Sequence, residues 1–197
     1  MPIPIHTSDP RVKRTRQLLQ QAFLALMQEK GFQDTTVQDI ADRATVNRAT
    51  FYAHFTDKYD LIDSCIREQF QQLLISKLPA QSQWSVANLH LLIATVFDFL
   101  AFVQHDCTPA QRELDPTLES AVQEEVYGVL LRWLRPRVPT ESAAQPETVA
   151  RVTSWAIFGT AGQWCRGTRT PPSPAMTRQV LAVVQGGLTA IIATSVG

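Results

Sequence analysis

Cysteine is scarce and unpatterned. Cys65, Cys107 and Cys165 are the three cysteines of a 197-residue chain. They are odd in number, far apart and without a CxxC pair, so neither a disulfide framework nor a zinc site is expected. Such usage suits a reducing, cytoplasmic compartment. Charge is sparse as well: 18% of residues are charged, with 18 cations against 18 acids. No overall excess of one sign marks the chain as a binder of nucleic acid or membrane. Low charge with 45% hydrophobic residues argues for a packed core rather than disorder. Uninterrupted apolar runs are missing. The most apolar stretch, 86–103 (VANLHLLIATVFDFLAFV), is broken by Asn88, His90 and Asp98, and reads as a buried helix, not a membrane span. The opening MPIPIHTSDP lacks the cationic start and apolar core of a secretory leader. The four histidines (His6, His54, His90 and His105) do not converge with a nucleophile or an orienting group. No enzymatic activity, no metal and no cofactor are therefore expected.

Strand-like alternation and internal repeats are absent too, and a period of 3.6 residues recurs throughout, which predicts an all-α fold. A first helix opens with Asp9 as cap and Pro10 in its first turn, where a missing N–H costs nothing. Leu19, Ala22, Phe23 and Leu26 form its apolar face, and Gly31 stops it. A short second helix is capped by Thr35 or Thr36, with Val37, Ile40, Ala41 and Ala44 inward. Asn47 caps a third helix through Phe55, and Thr56 a fourth that carries Leu61, Ile62, Cys65 and Phe70 toward Lys77. Pro79 ends that run. Longer helices are expected over about 84–105, 116–135, 146–167 and 174–194, separated by breaks around Thr108–Pro109, Arg135–Ala144 and Thr168–Pro174.

The neutral total hides a segregation. Arg11, Lys13, Arg14 and Arg16 crowd the first helix, whereas Glu113, Asp115, Glu119, Glu124 and Glu125 make 113–125 acidic. Acidic 124–125 reads as a wet face. Residues 45–58, TVNRATFYAHFTDK, carry the functional signal. Two short helices joined by a tight turn and braced by a third form a helix-turn-helix. Its second helix keeps one side in the core and shows the other to DNA. Val46, Phe51 and Phe55 fall on the inner side. Asn47, Arg48, Thr50, Ala53 and His54 fall outside, with Tyr52 at the boundary. Donors at Thr50, Tyr52, His54 and Lys58 suit phosphate oxygens, which set register. Arg48 can grip guanine and Gln38 adenine through paired contacts, and Ala49 or Thr50 can meet thymine methyls. Lys13 and Arg14 read as a phosphate-contacting arm.

At this point residues 15–61 resemble the DNA-binding domain of the tetracycline-repressor (TetR) family of transcriptional regulators. The matching pieces are T-V-x-D-I-A at Thr36–Ala41, T-F-Y-x-H-F at Thr50–Phe55 and x-D-K-x-D-L at Thr56–Leu61. The resemblance implies that Asn47–Phe55 is the recognition helix. It places Gln38, Arg48 and Ala49 toward bases, and Thr50, Tyr52, His54 and Lys58 on the backbone. One departure is Thr45, where the family has glycine in the turn; a β-branched residue at positive φ is strained.

The resemblance further implies an N-terminal three-helix helix-turn-helix domain at 9–57, joined to a larger helical ligand-binding and dimerisation domain at 58–197. Phe97, Phe102, Trp133, Trp155 and Phe158 are candidates to line an apolar effector pocket, though core packing is the more ordinary fate of each one. Gly159, Ala161 and Gly162, with a stripe of Val180, Val184, Gly187, Leu188 and Ile191, nominate the last two helices for a homodimer interface. Asp98 is either a pocket acceptor or solvent-facing, and Cys165 is read as inert. The expected activity is that of a dimeric repressor on a palindromic duplex operator, released by an unidentified small molecule. A DNA-binding architectural or partner-regulated factor without such an effector is the alternative.

Overall fold

The computed structural model describes residues 9–79, 81–106, 115–138 and 144–193, and all structural statements concern these. Cys107, the break at Thr108–Pro109 and Glu113 lie outside them. Eight helices and no strands occur among the described residues. They are α1 (Pro10–Lys30), α2 (Val37–Arg43), α3 (Arg48–His54), α4 (Lys58–Lys77), α5 (Val86–Asp106), α6 (Asp115–Leu134), α7 (Pro146–Arg166) and α8 (Ser173–Ala193). The all-α class stands as expected, and the long helices begin and end close to the anticipated positions.

The chain divides into two compact units. One ends at Cys65, with the start of α6 up to Thr117 grouped to it; the other begins at Ile66. The boundary therefore falls inside α4.

In the first unit the helix starts follow from local chemistry. The Asp9 carboxylate accepts from the Arg11 N–H at 2.8 Å, and Pro10 occupies the first turn. Of the two threonines, Thr36 is the cap of α2. Its hydroxyl receives the Asp39 N–H at 3.1 Å, while the Asp39 carboxylate accepts the Thr36 N–H at 2.8 Å. Both free N–H groups are thus satisfied reciprocally. Lys30 ion-pairs with Asp39 at 2.8 Å. That bond, followed by those from Thr36, holds the carboxyl far below the usual carboxylate range. Asn47 caps α3 by accepting the Ala49 N–H at 2.8 Å. The cap of α4 is Asp57, not Thr56: one Asp57 oxygen accepts from the N–H groups of Tyr59 and Asp60, each at 2.8 Å. Thr56 instead donates its own N–H back to Asp60 at 2.9 Å. An ionised carboxylate is the stronger acceptor for two free N–H groups.

The apolar faces converge on Leu19, Phe23, Leu26, Phe32, Ile40, Phe51, Phe55 and Leu61, all buried. Phe32 stands edge-on to Phe23 and Tyr59, with centroids 6.1 and 5.0 Å apart. Gly31 ends α1 at φ 81°, ψ 173°. Its φ is positive as a stop requires, but its ψ is extended rather than left-handed helical. Thr45 has φ 57°, in the left-handed region where a Cβ costs about 1–2 kcal/mol. The turn holds it there through Thr45 N–H to Asp42 O at 3.1 Å and Val46 N–H to Ala41 O at 3.0 Å. Thr45→Gly is expected to raise the melting temperature by a few degrees, since strain relief of about 1–2 kcal/mol outweighs the added freedom of the unfolded chain, about 0.4–1 kcal/mol. A lower melting temperature in a thermal scan would refute the strained turn.

In the second unit α5 is the central element, packed against α7 and α8. Composition alone would let α5 and α8 cross a membrane. In α5, however, Leu89, Leu92, Ile93, Val96, Phe97 and Leu100 are all spent on the core, and Asp98 faces solvent. Helices α6 and α7 meet along a polar seam. Gln123 donates to the Ser154 hydroxyl at 2.8 Å, Glu124 pairs with Arg151, and Glu119 pairs with Arg166 at 3.2 Å. Arg151 also lies 3.7 Å from the Tyr127 ring centroid. Glu124 and Glu125 are thus not merely a wet face, because Glu125 is held by Arg67 at 3.6 Å.

Candidate nucleic-acid interface

Helix α3 positions its side chains by a simple division. Phe51 and Phe55 are buried, the latter as the C-cap, with ring centroids 5.9 Å apart. Because they lie four positions apart, the intervening residues must turn outward. Asn47, Arg48, Ala49, Tyr52 and Ala53 are exposed, while Thr50 and His54 are half-buried. Gln38 is exposed on α2, which packs on α3, and Lys13 and Arg14 are exposed near the start of α1. The surface anticipated from sequence is therefore present as a surface, with one exception.

The exception is Lys58. Its ammonium donates to three backbone carbonyls, those of Phe32 at 2.9 Å, Gln33 at 3.2 Å and Thr35 at 3.2 Å. It also lies 4.4 Å from the Phe32 ring centroid. An ammonium has three N–H donors, and all are taken by the chain between α1 and α2. Lys58 is placed as an internal clamp, and the phosphate contact expected of it is not what the structure offers.

Arg16 also departs from expectation. Grouped by sequence with the cationic arm, it instead braces the back of α3. One guanidinium nitrogen donates to the His54 carbonyl at 2.9 Å and another to the Ser64 hydroxyl at 3.0 Å. The plane sits 4.2 Å from the Phe55 centroid. The C-terminal end of a helix offers unpaired carbonyls, and a cation is the favoured partner there. Gln20 joins the same hydroxyl at 3.3 Å. Ser64 and Gln20 drew no attention in the sequence, because their role depends on contacts 44 to 48 residues apart. Partial burial, then the nearby Arg16 charge, lowers the His54 pKa below its ordinary value. Both influences disfavour its charged form, which weakens His54 as a cationic partner for phosphate.

The two candidate base readers have partners within their own helices. Arg48 donates to the Tyr52 hydroxyl at 3.2 Å and lies 5.5 Å from its ring centroid. Gln38 donates its amide to Asp42 at 2.8 Å.

The second unit does not gather the five aromatics proposed for a pocket. Phe97, Trp133 and Phe158 are core residues, while Phe102 and Trp155 are 65% and 53% exposed. The Trp133 indole is committed to the Ser82 carbonyl at 2.8 Å, and Phe97 stacks on Trp164 with centroids 5.5 Å apart. None of the five lines either of two hollows found in this unit. One, of about 340 Å³, lies between α4 and α6 and is walled by Leu74, Ile75, Leu78 and Val129, with Gln71, Glu125 and Arg132. The other, of about 290 Å³, is an apolar groove between α7 and α8, lined by Val152, Ala156, Val183, Val184, Gly187 and Ile191. No group of three or more metal-ligating side chains occurs among the described residues. Cys165 is buried, and burial pushes its thiol up against the opposing charges of Arg169 and Arg166.

Residues 19–65 match the family described as bacterial regulatory proteins, tetR family. The uncharacterized HTH-type transcriptional regulator YxbF of Bacillus subtilis is 37% identical over 67 residues, 34% of this chain and 18% of that protein. The HTH-type transcriptional repressor KstR2 of Rhodococcus jostii is 30% identical over 99 residues, 49% of this chain and 48% of that protein. The chain thus spans less than half the length of these relatives. The solved flavonoid-responsive regulator FrrA aligns over 90% of this chain and 96% of its own, with a TM-score of 0.54 and 19% identity, a likeness of fold.

Proposed function

Since residues 19–65 place this chain in the tetR family of bacterial regulatory proteins, we propose that it is a dimeric, sequence-specific transcriptional repressor, acting in the cytoplasm and released from duplex DNA by a small molecule. The observation that carries the DNA-binding part is the division of α3, with Phe51 and Phe55 sealed inside while Arg48, Ala49 and Tyr52 face out. Selection of bound sequences from random duplex DNA tests it. The expected result is a palindromic consensus whose half-sites lie about 34–36 Å apart, one helical turn. Absence of any enriched sequence overturns the reading, and a promoter fusion that rises when the chain is deleted establishes repression.

Lys13 and Arg14 supply the sequence-independent part. Log K is expected to fall with log[salt] by about 0.9 per neutralised phosphate, and Lys13→Ala with Arg14→Ala to flatten that slope by up to about 1.8. A slope that does not move returns both residues to an ordinary solvated helix face.

Dimerisation is proposed through α7 and α8, though most of the stripe singled out in the sequence is spent inside the chain. Val180, Val184 and Leu188 are buried within this chain's own core. The outward face instead carries Val183 and Val152, 78% and 64% exposed, beside Trp155. Gly159, Gly186 and Gly187 have open space where a Cβ would stand, which leaves room for a second chain to approach closely.

For the effector, the hollow between α4 and α6 replaces the aromatic pocket. Its volume of about 340 Å³ falls within the range of small-molecule sites, about 300–1,000 Å³. Its wall includes Leu74 and Ile75 of α4, the helix that both compact units share. A ligand favouring one disposition of α4 by about 1–3 kcal/mol would weaken DNA binding about 5–150-fold, and DNA would weaken the ligand equally. A second reading, a factor regulated by a protein partner, is favoured by the burial of Phe97, Trp133 and Phe158 in a filled core. Filling the hollow with Val129→Trp separates the two: the effector reading requires loss of ligand response with DNA binding intact.

A further inference from the structure

Each proposed base reader is held by the residue four positions after it on the same helix, where side chains are neighbours. Arg48 gives one guanidinium proton to the Tyr52 hydroxyl at 3.2 Å and rests near its ring. Gln38 gives one amide proton to the Asp42 carboxylate at 2.8 Å. The bookkeeping of donors matters. A guanidinium has five N–H groups, so the bond to Tyr52 leaves enough for the two acceptors that guanine presents. A primary amide has two N–H groups and one carbonyl. With one N–H given to Asp42, Gln38 retains one donor and one acceptor, the pair adenine requires at N7 and N6. Both Asp42 and Tyr52 are exposed, so neither is needed to fill the core.

We propose that Asp42 and Tyr52 are specificity-setting positioning residues, which hold Gln38 and Arg48 in the orientations that read adenine and guanine. This rests on the DNA-binding reading above. Long side chains left free on a surface lose rotamer freedom on binding, and fixing them beforehand removes part of that cost for the matching base. Asp42 has a second effect. A carboxylate on a surface that meets phosphates repels every duplex alike, so it lowers general affinity while sharpening choice.

The test is fluorescence anisotropy of the full chain at one fixed salt concentration. The ligands are the selected operator duplex, single-base variants of it and a scrambled duplex. Tyr52→Phe keeps the ring and removes the hydroxyl. Discrimination against a replaced guanine is expected to fall about three- to tenfold, the worth of one hydrogen bond, a loss larger than any fall in scrambled binding. Asp42→Ala is expected to raise scrambled binding while discrimination at the adenine falls by a similar factor. Asp42→Asn, which retains a carbonyl acceptor, restores discrimination but not the repulsion. If Tyr52→Phe weakens operator and scrambled duplex equally, Tyr52 is a phosphate anchor and its positioning role is overturned. If Asp42→Ala leaves the operator-to-scrambled ratio unmoved, the role of Asp42 is overturned. Failure of the wild-type chain on every duplex overturns the DNA reading itself, and this inference with it.

Discussion

Lys58→Met is expected to lower unfolding free energy by about 2–4 kcal/mol while leaving the salt dependence of DNA binding where it was. The ammonium closes three carbonyls, at Phe32, Gln33 and Thr35, in the connection between α1 and α2. Hydrogen bonds to a charged group contribute about 1.5–3 kcal/mol each, but three on one partly exposed group do not add in full. Methionine retains the length and apolar stem and leaves those carbonyls without a donor. Arginine should not rescue, because its planar fork cannot point at three carbonyls arranged about a single nitrogen. Chemical denaturation followed at two wavelengths, with a parallel salt titration of operator affinity, distinguishes this from a phosphate contact. A phosphate contact predicts the opposite pattern: little change in stability and a slope shallower by about 0.9.

Val183→Lys is expected to leave the fold intact and dissociate the proposed dimer, lowering affinity for a palindromic site about a hundredfold or more. Val183 is 78% exposed on α8, so within one chain its replacement by lysine costs little. Under a second copy it would place an unpaired charge in an apolar groove, which costs several kcal/mol. Two tethered reading heads gain about 10²–10⁴ in avidity over one, and that factor is lost with the dimer. Val184→Lys is the contrast. That neighbour is buried within the chain and its replacement should unfold the second unit. Light scattering, circular dichroism and operator binding on both variants check the pair; a dimeric Val183→Lys protein eliminates this face as the interface.

Both predictions concern residues whose role changed when the chain was folded. Lys58 belongs to a motif that nominates it for phosphate. What redirected it was the return of the Phe32–Thr35 segment to within 3.2 Å of its nitrogen. Arg16 looked like one cation among four, until α3 presented the His54 carbonyl to it from 38 positions away. On α8 the apolar stripe was visible, but a stripe does not say whether its partner is α5 or another molecule. Val180, Val184 and Leu188 were spent inside this chain's own core, which left Val183 outside. The five aromatics failed as a pocket for the same reason. Aromatic content announces burial without announcing whether a cavity remains beside it.

By itself the sequence determined what short-range forces decide. Caps at Asp9 and Asn47 start helices because each supplies an acceptor to an N–H two residues on. The inward turn of Phe51 and Phe55 follows from helical period alone. The positive φ of Thr45 was expected from the resemblance, since the family has glycine at that turn. Only the tertiary structure decided which cations are spent inside the protein, which apolar face remains uncovered and where space is left unfilled. Those outcomes depend on groups tens of residues apart meeting within about 3 Å, a distance to which local periodicity is blind.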